Sequence, residues 1–139
     1  MGAKRLEELV AWQLAHEFKV EVYRLVRESA PASRDLDYRQ QLMGAASSGE
    51  ANVAEGFHRF APAEFAQFLN IARGSLGEAK VRLTDGIDRG YFVAADCASA
   101  IALANRSLGC VTSLKLSLEP YITRRGPRTR AENRTKNRT

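Results

Sequence analysis

The sequence predicts an all-α protein, an up-and-down antiparallel four-helix bundle, and three observations carry that expectation. Apolar residues recur at three- and four-residue steps through four long segments. No run alternates apolar and polar residues, and no Asn-Gly or Asp-Gly hairpin signal lies between strand-like runs. The links between the segments are short, which favours antiparallel neighbours.

The first segment runs from about Leu6 to Ser29, with Val10, Leu14, Phe18, Val22, Leu25 and Val26 as its stripe. Ala30-Pro31 is expected to end it, because the residue before a proline avoids helical dihedrals. A polar link, Ala32 to Asp35, offers Ser33 and Asp35 as N-caps for the next helix. That helix spans about Leu36 to Phe57, on a stripe of Tyr38, Leu42, Ala45, Ala46, Gly49, Val53 and Gly56. Gly44 and Gly49 each cost about 1 kcal/mol of helix propensity relative to Ala. Close approach of a neighbouring helix is the expected reason for both.

A break at Phe57 to Ala61 precedes Pro62, which suits the first position of a helix. The third helix has the clearest pattern: Phe65, Leu69, Ala72, Leu76, Ala79, Leu83 and Ile87. Gly90 followed by Tyr91 resembles a glycine C-cap with its trailing hydrophobic contact. The fourth helix, about Ala94 to Thr123, carries two stripes. Cys97, Ile101, Ala104, Leu108, Val111, Leu118 and Ile122 form one; Leu103, Cys110, Leu114 and Tyr121 form the other. So wide an apolar arc buries two faces, one in the bundle and one against another subunit.

The 139 residues make one domain, with residues 1–123 as the bundle and 124–139 as a disordered basic tail. The whole chain carries a net charge of +5. After Thr123 seven basic residues face one acid, Glu132, so the tail is strongly cationic and the body slightly acidic. No stretch approaches the roughly 18 uninterrupted apolar residues that span a membrane. The opening Met1 to Glu8 turns acidic where a signal peptide needs an apolar run, so a cytoplasmic location is expected. Cys97 and Cys110 on one helix would stand roughly 20 Å apart, beyond the reach of a disulfide.

The residues that carry chemistry are sparse. A di-metal carboxylate bundle needs two Glu-x-x-His pairs, and only Glu55-Gly56-Phe57-His58 occurs. No nucleophile elbow is present, and Gly74-Ser75-Leu76-Gly77 lies inside a helix with no strand before it. A non-enzymatic protein without cofactor or metal is expected. Two polar rows stand out: Gln41, Ser48, Asn52 and Glu55 on the second helix, and Arg73, Ser75, Glu78 and Arg82 on the third. If they face each other they form a half-buried network. It would serve as a ligand or partner site or, as the favoured reading, fix the register of the helices. The tail would bind phosphates without reading sequence, and it lacks aromatics for base stacking.

Several of these residues also form a signature. Asn52-Val53-Ala54-Glu55-Gly56, Arg59, Phe65, Phe68-Leu69, Ile71-Ala72, Gly74-Ser75-Leu76 and Glu78 follow one another at fixed spacing. They are preceded by Leu9-Val10-Ala11-Trp12-Gln13 and Gln40-Gln41-Leu42. Over about Leu6 to Ile122 the chain resembles the 23S rRNA-intervening-sequence proteins, also called four helix bundle proteins. The resemblance implies a short four-helix bundle that assembles into a ring-like homopentamer, and a function largely uncharacterised. A related branch, the accessory variability determinant proteins of diversity-generating retroelements, is similar in fold. Those proteins bind nucleic acid and a reverse transcriptase through a basic surface. This chain departs from them in its near-neutral body and in Ser48-Gly49-Glu50 ahead of the asparagine motif.

The expected function is therefore a homo-oligomeric scaffold or adaptor that contacts RNA or DNA weakly, alone or with a protein partner such as a reverse transcriptase. Candidate contacts are Arg59, Arg73, Lys80 and Arg82 on the body and Arg124, Arg125, Arg128 and Arg130 beyond it. Asn52, Glu55, Ser75 and Glu78 mark the polar network. The alternative is a pure protein-interaction module with no nucleic-acid role.

Overall fold

A computed structural model describes residues 2–123; the basic tail, with Arg124, Arg125, Arg128 and Arg130, lies outside the described residues. Those residues are helical, with no strand among them. A single 3-10 turn, Leu6–Glu8, leads into α1 (Val10–Glu28), α2 (Ala30–Arg34), α3 (Leu36–Phe57), α4 (Pro62–Asp88) and α5 (Ala94–Thr123).

The start of the chain departs from the expected continuous helix. Leu9 is extended, with φ −78° and ψ 113°, so the turn and α1 are separate pieces. Gln13 Nε2 donates to Glu7 O at 2.6 Å across that bend. The link after α1 is also a helix. Ser29 is extended and its hydroxyl accepts from Ala32 N at 3.3 Å, capping α2. Ala30-Pro31 therefore opens a one-turn helix, because a proline in the first turn gives up no helical hydrogen bond. Asp35 caps α3 as expected, its carboxylate accepting from Tyr38 N at 3.1 Å. Ser33 does not cap; its hydroxyl donates to Val26 O.

The four long helices pack as a bundle in which α1 and α4 each touch both α3 and α5. Neighbours run antiparallel. On α3 and α4, Tyr38 meets Arg82 and Ser48 meets Ser75. On α4 and α5, Lys115 Nζ reaches Asn70 at 3.2 Å while Gly86 lies beside Phe92 near the opposite end. The core is one cluster, with Phe18, Val22, Leu42, Val53, Leu69, Leu76, Leu83 and Val111 fully enclosed. Each such side chain contributes about 1.5–3 kcal/mol of transfer free energy.

Gly90 ends α4 with φ +77°, the left-handed conformation that glycine adopts without a Cβ penalty. Gly90 N donates to Ile87 O and Tyr91 N donates to Gly86 O, so two otherwise unpaired carbonyls are satisfied. Close packing explains Gly49, where an added Cβ would stand 2.7 Å from Leu76 Cδ2. It does not explain Gly44, which is exposed and has nothing within 4 Å of that position. The five-residue step from one glycine to the other turns the helix by roughly 140°, so only one of them faces the core.

Both apolar stripes of α5 are accounted for in part by the chain itself. Cys97, Ala104 and Val111 are enclosed, and Leu103, Cys110, Leu114 and Leu118 pack half-buried against the core. Leu116 at 55 % and Tyr121 at 60 % remain exposed. No helix of the described residues is long and apolar enough to cross a membrane.

Candidate functional site

The two polar rows do meet, but only in their centres. Ser48 Oγ and Ser75 Oγ share a hydrogen bond of 2.9 Å across the α3–α4 seam. Asn52 Nδ2 donates to Ser48 O at 2.8 Å and to Ser48 Oγ at 3.1 Å. These three half-buried side chains form a closed neutral network. Glu55 and Glu78 stand outside it. Glu55 pairs with Arg59 at 2.6 Å and Glu78 with Arg82 at 3.7 Å, each one turn along its own helix and each about half exposed. A carboxylate that can keep water and a local guanidinium avoids the desolvation that a buried network would impose. Gln41 likewise turns to Asp37 on the surface.

The body arginines divide in the same way. Arg59 lies over the Phe68 ring at 5.1 Å as well as pairing with Glu55. Arg73 and Lys80 make no ion pair among the described residues. Arg73 borders an open groove of about 630 Å³ between α4 and α5, together with Asn70, Gly74, Gly77, Leu108, Gly109 and Thr112. Gly74, Gly77 and Gly109 each have nothing within 4 Å of where a Cβ would stand. Three helical glycines here thus have no packing reason among the described residues.

The groove continues into weakly polar surface. Val81 follows Gly74 and Gly77 on the same face of α4 and is 67 % exposed. On α5, Ala98, Ala102, Asn105, Gly109, Ser113 and Leu116 recur at three- and four-residue steps and are all exposed. Asp96 and Arg106 are the only charged residues from Ala94 to Leu114. An exposed helix face this poor in charge and bulk can seat another helix at close range.

Two constellations had no signal in the sequence. Glu50, only 15 % exposed, accepts from Lys19 Nζ at 2.7 Å and lies 3.1 Å from His16 Nδ1, joining α1 to α3. His16 also stacks on Trp12, ring centroids 4.9 Å apart. At the α4–α5 turn, Tyr91 donates its hydroxyl to Asp35 at 2.5 Å while Arg89 lies 3.4 Å from the same carboxylate. The Tyr91 hydrogen bond holds the Asp35 carboxyl below its ordinary pKa, helped by the Tyr38 amide and Arg89. Tyr38 donates to Arg82 O at 2.7 Å, and burial pushes its hydroxyl well up. Each constellation ties together residues more than thirty positions apart. His58, the histidine of the lone Glu-x-x-His pair, sits 2.8 Å from Ala54 O on the exposed helix end. No three His, Cys, Asp or Glu side chains among the described residues converge on a metal position.

Fold and groove together define an all-helical bundle with a closed seam between α3 and α4 and an open one between α4 and α5. The chain belongs to the 23S rRNA-intervening sequence protein family, whose model matches residues 7–112. It is similar in fold to a solved protein of unknown function from the S23 ribosomal protein family of Bacteroides thetaiotaomicron VPI-5482. That likeness has a TM-score of 0.68 at 22 % identity and covers 76 % of this chain and 98 % of that one. No curated protein matches the chain.

Proposed function

We propose that this chain is a non-enzymatic scaffold or adaptor: an up-and-down four-helix bundle that assembles into a ring, a pentamer, and engages RNA or DNA weakly and without reading sequence. The observation that carries the reading is the open α4–α5 groove, floored by Gly74, Gly77 and Gly109. In a ring, a helix of the next copy would rest there. Repetition would also multiply the basic segment that follows Thr123, so weak single contacts would add to useful avidity. Asn52, Ser48 and Ser75 would set the register of each stave, and Arg73, with no acidic partner among the described residues, would be the foremost phosphate contact on the body. The retroelement branch of similar fold makes a reverse transcriptase one expected partner class. A cytoplasmic setting fits both roles.

Sedimentation velocity at micromolar concentration tests the assembly, and a monomer would overturn it. Filter binding to RNA and duplex DNA, from low to physiological salt, tests the second half. Binding should fall steeply with salt and be lost on truncation after Thr123. Absence of binding at low salt removes the nucleic-acid role. The pairing of Arg59 and Arg82 with local glutamates favours one alternative, a pure protein-interaction module. A partner protein retained by the truncated chain, with no nucleic acid bound at any salt, would establish it.

A further inference from the structure

On the opposite side of the bundle, α1, α2 and α3 border an open slot of about 400 Å³ lined by Tyr23, Val26, Arg27, Ser33, Arg39 and Met43. Its exposed surface is mainly apolar, yet two guanidinium groups stand on it and no carboxylate lines it. The surrounding carboxylates are engaged elsewhere. Glu21 and Glu28 both bind Arg24, Glu50 binds Lys19, and Asp35 binds Tyr91 and Arg89. Arg39 Nη1 donates to Ser33 O at 3.2 Å, which holds the guanidinium against α2 through one of its five N–H donors and leaves the others for a ligand. The Arg27 side chain makes no ion pair or hydrogen bond among the described residues. Both guanidinium groups thus lack an anion among the described residues.

From this geometry we infer that the slot is a binding site for a small amphipathic anion, an apolar or aromatic body carrying one carboxylate or phosphate. The apolar body would rest against Tyr23, Val26 and Met43. The head would take the donors of Arg27 and Arg39, whose planar forks match both carboxylate and phosphate oxygens. The volume falls within the range usual for small-molecule sites, about 300–1,000 Å³. Chemistry of two kinds is needed at once: charge alone would leave the apolar floor unused, and an uncharged body would leave both cations unpaired. The slot lies on α1 and α3, away from the α4–α5 groove, so this inference stands whether or not the chain assembles there.

Calorimetric titration of the full chain with phenyl phosphate, phenylacetate, inorganic phosphate and benzyl alcohol tests it. The two aryl anions are expected to bind; inorganic phosphate should be weaker by about tenfold or more because it buries no apolar surface, and benzyl alcohol by a similar factor because it loses a charge-assisted hydrogen bond. Arg27→Gln removes a surface side chain with no internal partner and should lower aryl-anion affinity about tenfold. Arg39→Gln should do the same or more, with circular dichroism confirming the fold. Equal affinity for inorganic phosphate and phenyl phosphate would overturn the site, as would aryl-anion binding unchanged in Arg27→Gln. Preference between the two aryl anions reports which head group the site is built for.

Discussion

Helix α4 presents glycines in two opposite situations. Toward α3 and the α4–α5 turn the glycine sites are full: a Cβ on Gly86 would stand 2.1 Å from Tyr38 Oη and 2.7 Å from the Phe92 ring. Across the same seam, Gly56 of α3 would meet Phe65 and Phe68 at 2.8 and 2.9 Å. Toward α5 the sites are empty, with nothing within 4 Å of Gly74 or Gly77. One residue type therefore does two jobs. On the closed seam it lets the chain's own aromatic and aliphatic side chains sit against backbone. On the open seam it keeps a surface flat that no described residue covers. Substituting alanine separates the two.

The largest effect is expected at Gly86. Its neighbours are buried rings, and Tyr38 is held in place by the hydrogen bond to Arg82 O, so the added methyl has nowhere to go. Gly86→Ala should cost about 3 kcal/mol, at the upper end for overpacking. In a chain of this size that lowers the melting temperature by roughly 10 °C. Gly56→Ala should follow with about 2 kcal/mol, since one of its obstacles is a Cβ that cannot swing aside. Thermal unfolding followed by circular dichroism measures both. A neutral Gly86→Ala would mean the seam is looser than its geometry.

Next comes the seam's polar centre. Ser75→Ala removes the partner of Ser48 Oγ, which keeps its bond from Asn52. Because one hydrogen bond remains, the loss should be about 1 kcal/mol, the net value of a typical bond. The open seam should respond with the opposite sign. Gly77→Ala meets no atom, so it should stabilise the single chain by about 0.5–1 kcal/mol through helix propensity. Sedimentation of Gly77→Leu sharpens the contrast. If a second copy uses the groove, this bulkier side chain should weaken assembly while leaving the melting temperature of the dissociated chain close to that of Gly77→Ala.

The contrast between the seams also shows what the sequence can reveal. The bounds of α3 and α5 were legible because each carries its own punctuation: Asp35 as cap before Leu36, and a long uninterrupted pattern from Ala94. Helix α2 was not, because proline reads equally well as the end of one helix or the first turn of the next. Ser48 and Asn52 were legible as neighbours by their spacing, and Ser75 by the row on the facing helix. For Glu55 and Glu78, spacing assigns a face but not the choice between burial and an exposed local arginine. That choice is set by desolvation, and both carboxylates are about half exposed beside an arginine one turn on. The slot holding Arg27 and Arg39, and the Glu50 and Asp35 constellations, join distant residues and had no signature in a single sequence. Glycine was the most ambiguous letter of all, since a filled site and an empty one are written alike.

The smallest expected effect concerns the clamp that closes the turn beside Gly86. Asp35 is held below its ordinary pKa by Tyr91, the Tyr38 amide and Arg89, so the folded chain gives up that proton more readily than the unfolded one. The sign follows directly. Above the ordinary carboxylate pKa the clamp contributes its full stability. As pH falls from there through the depressed folded value, the unfolded state takes up the proton first and the contribution is lost. Glu21, lowered chiefly by its hydrogen bond to Arg24, acts in the same sense. Asp35→Asn keeps the cap on α3 and removes the charge, so its melting temperature should lie below that of the parent at pH 7. The difference should shrink as pH falls through the depressed folded value, where the parent carboxyl also becomes neutral. Tyr91→Phe should reproduce part of that loss at pH 7, because it removes the first of the three contacts while Arg89 remains. A parent–variant difference that stayed constant from pH 7 down through the depressed folded value would show that the closed end is held by packing alone, with Phe92 and Tyr38 sufficient and the carboxylate a passive cap.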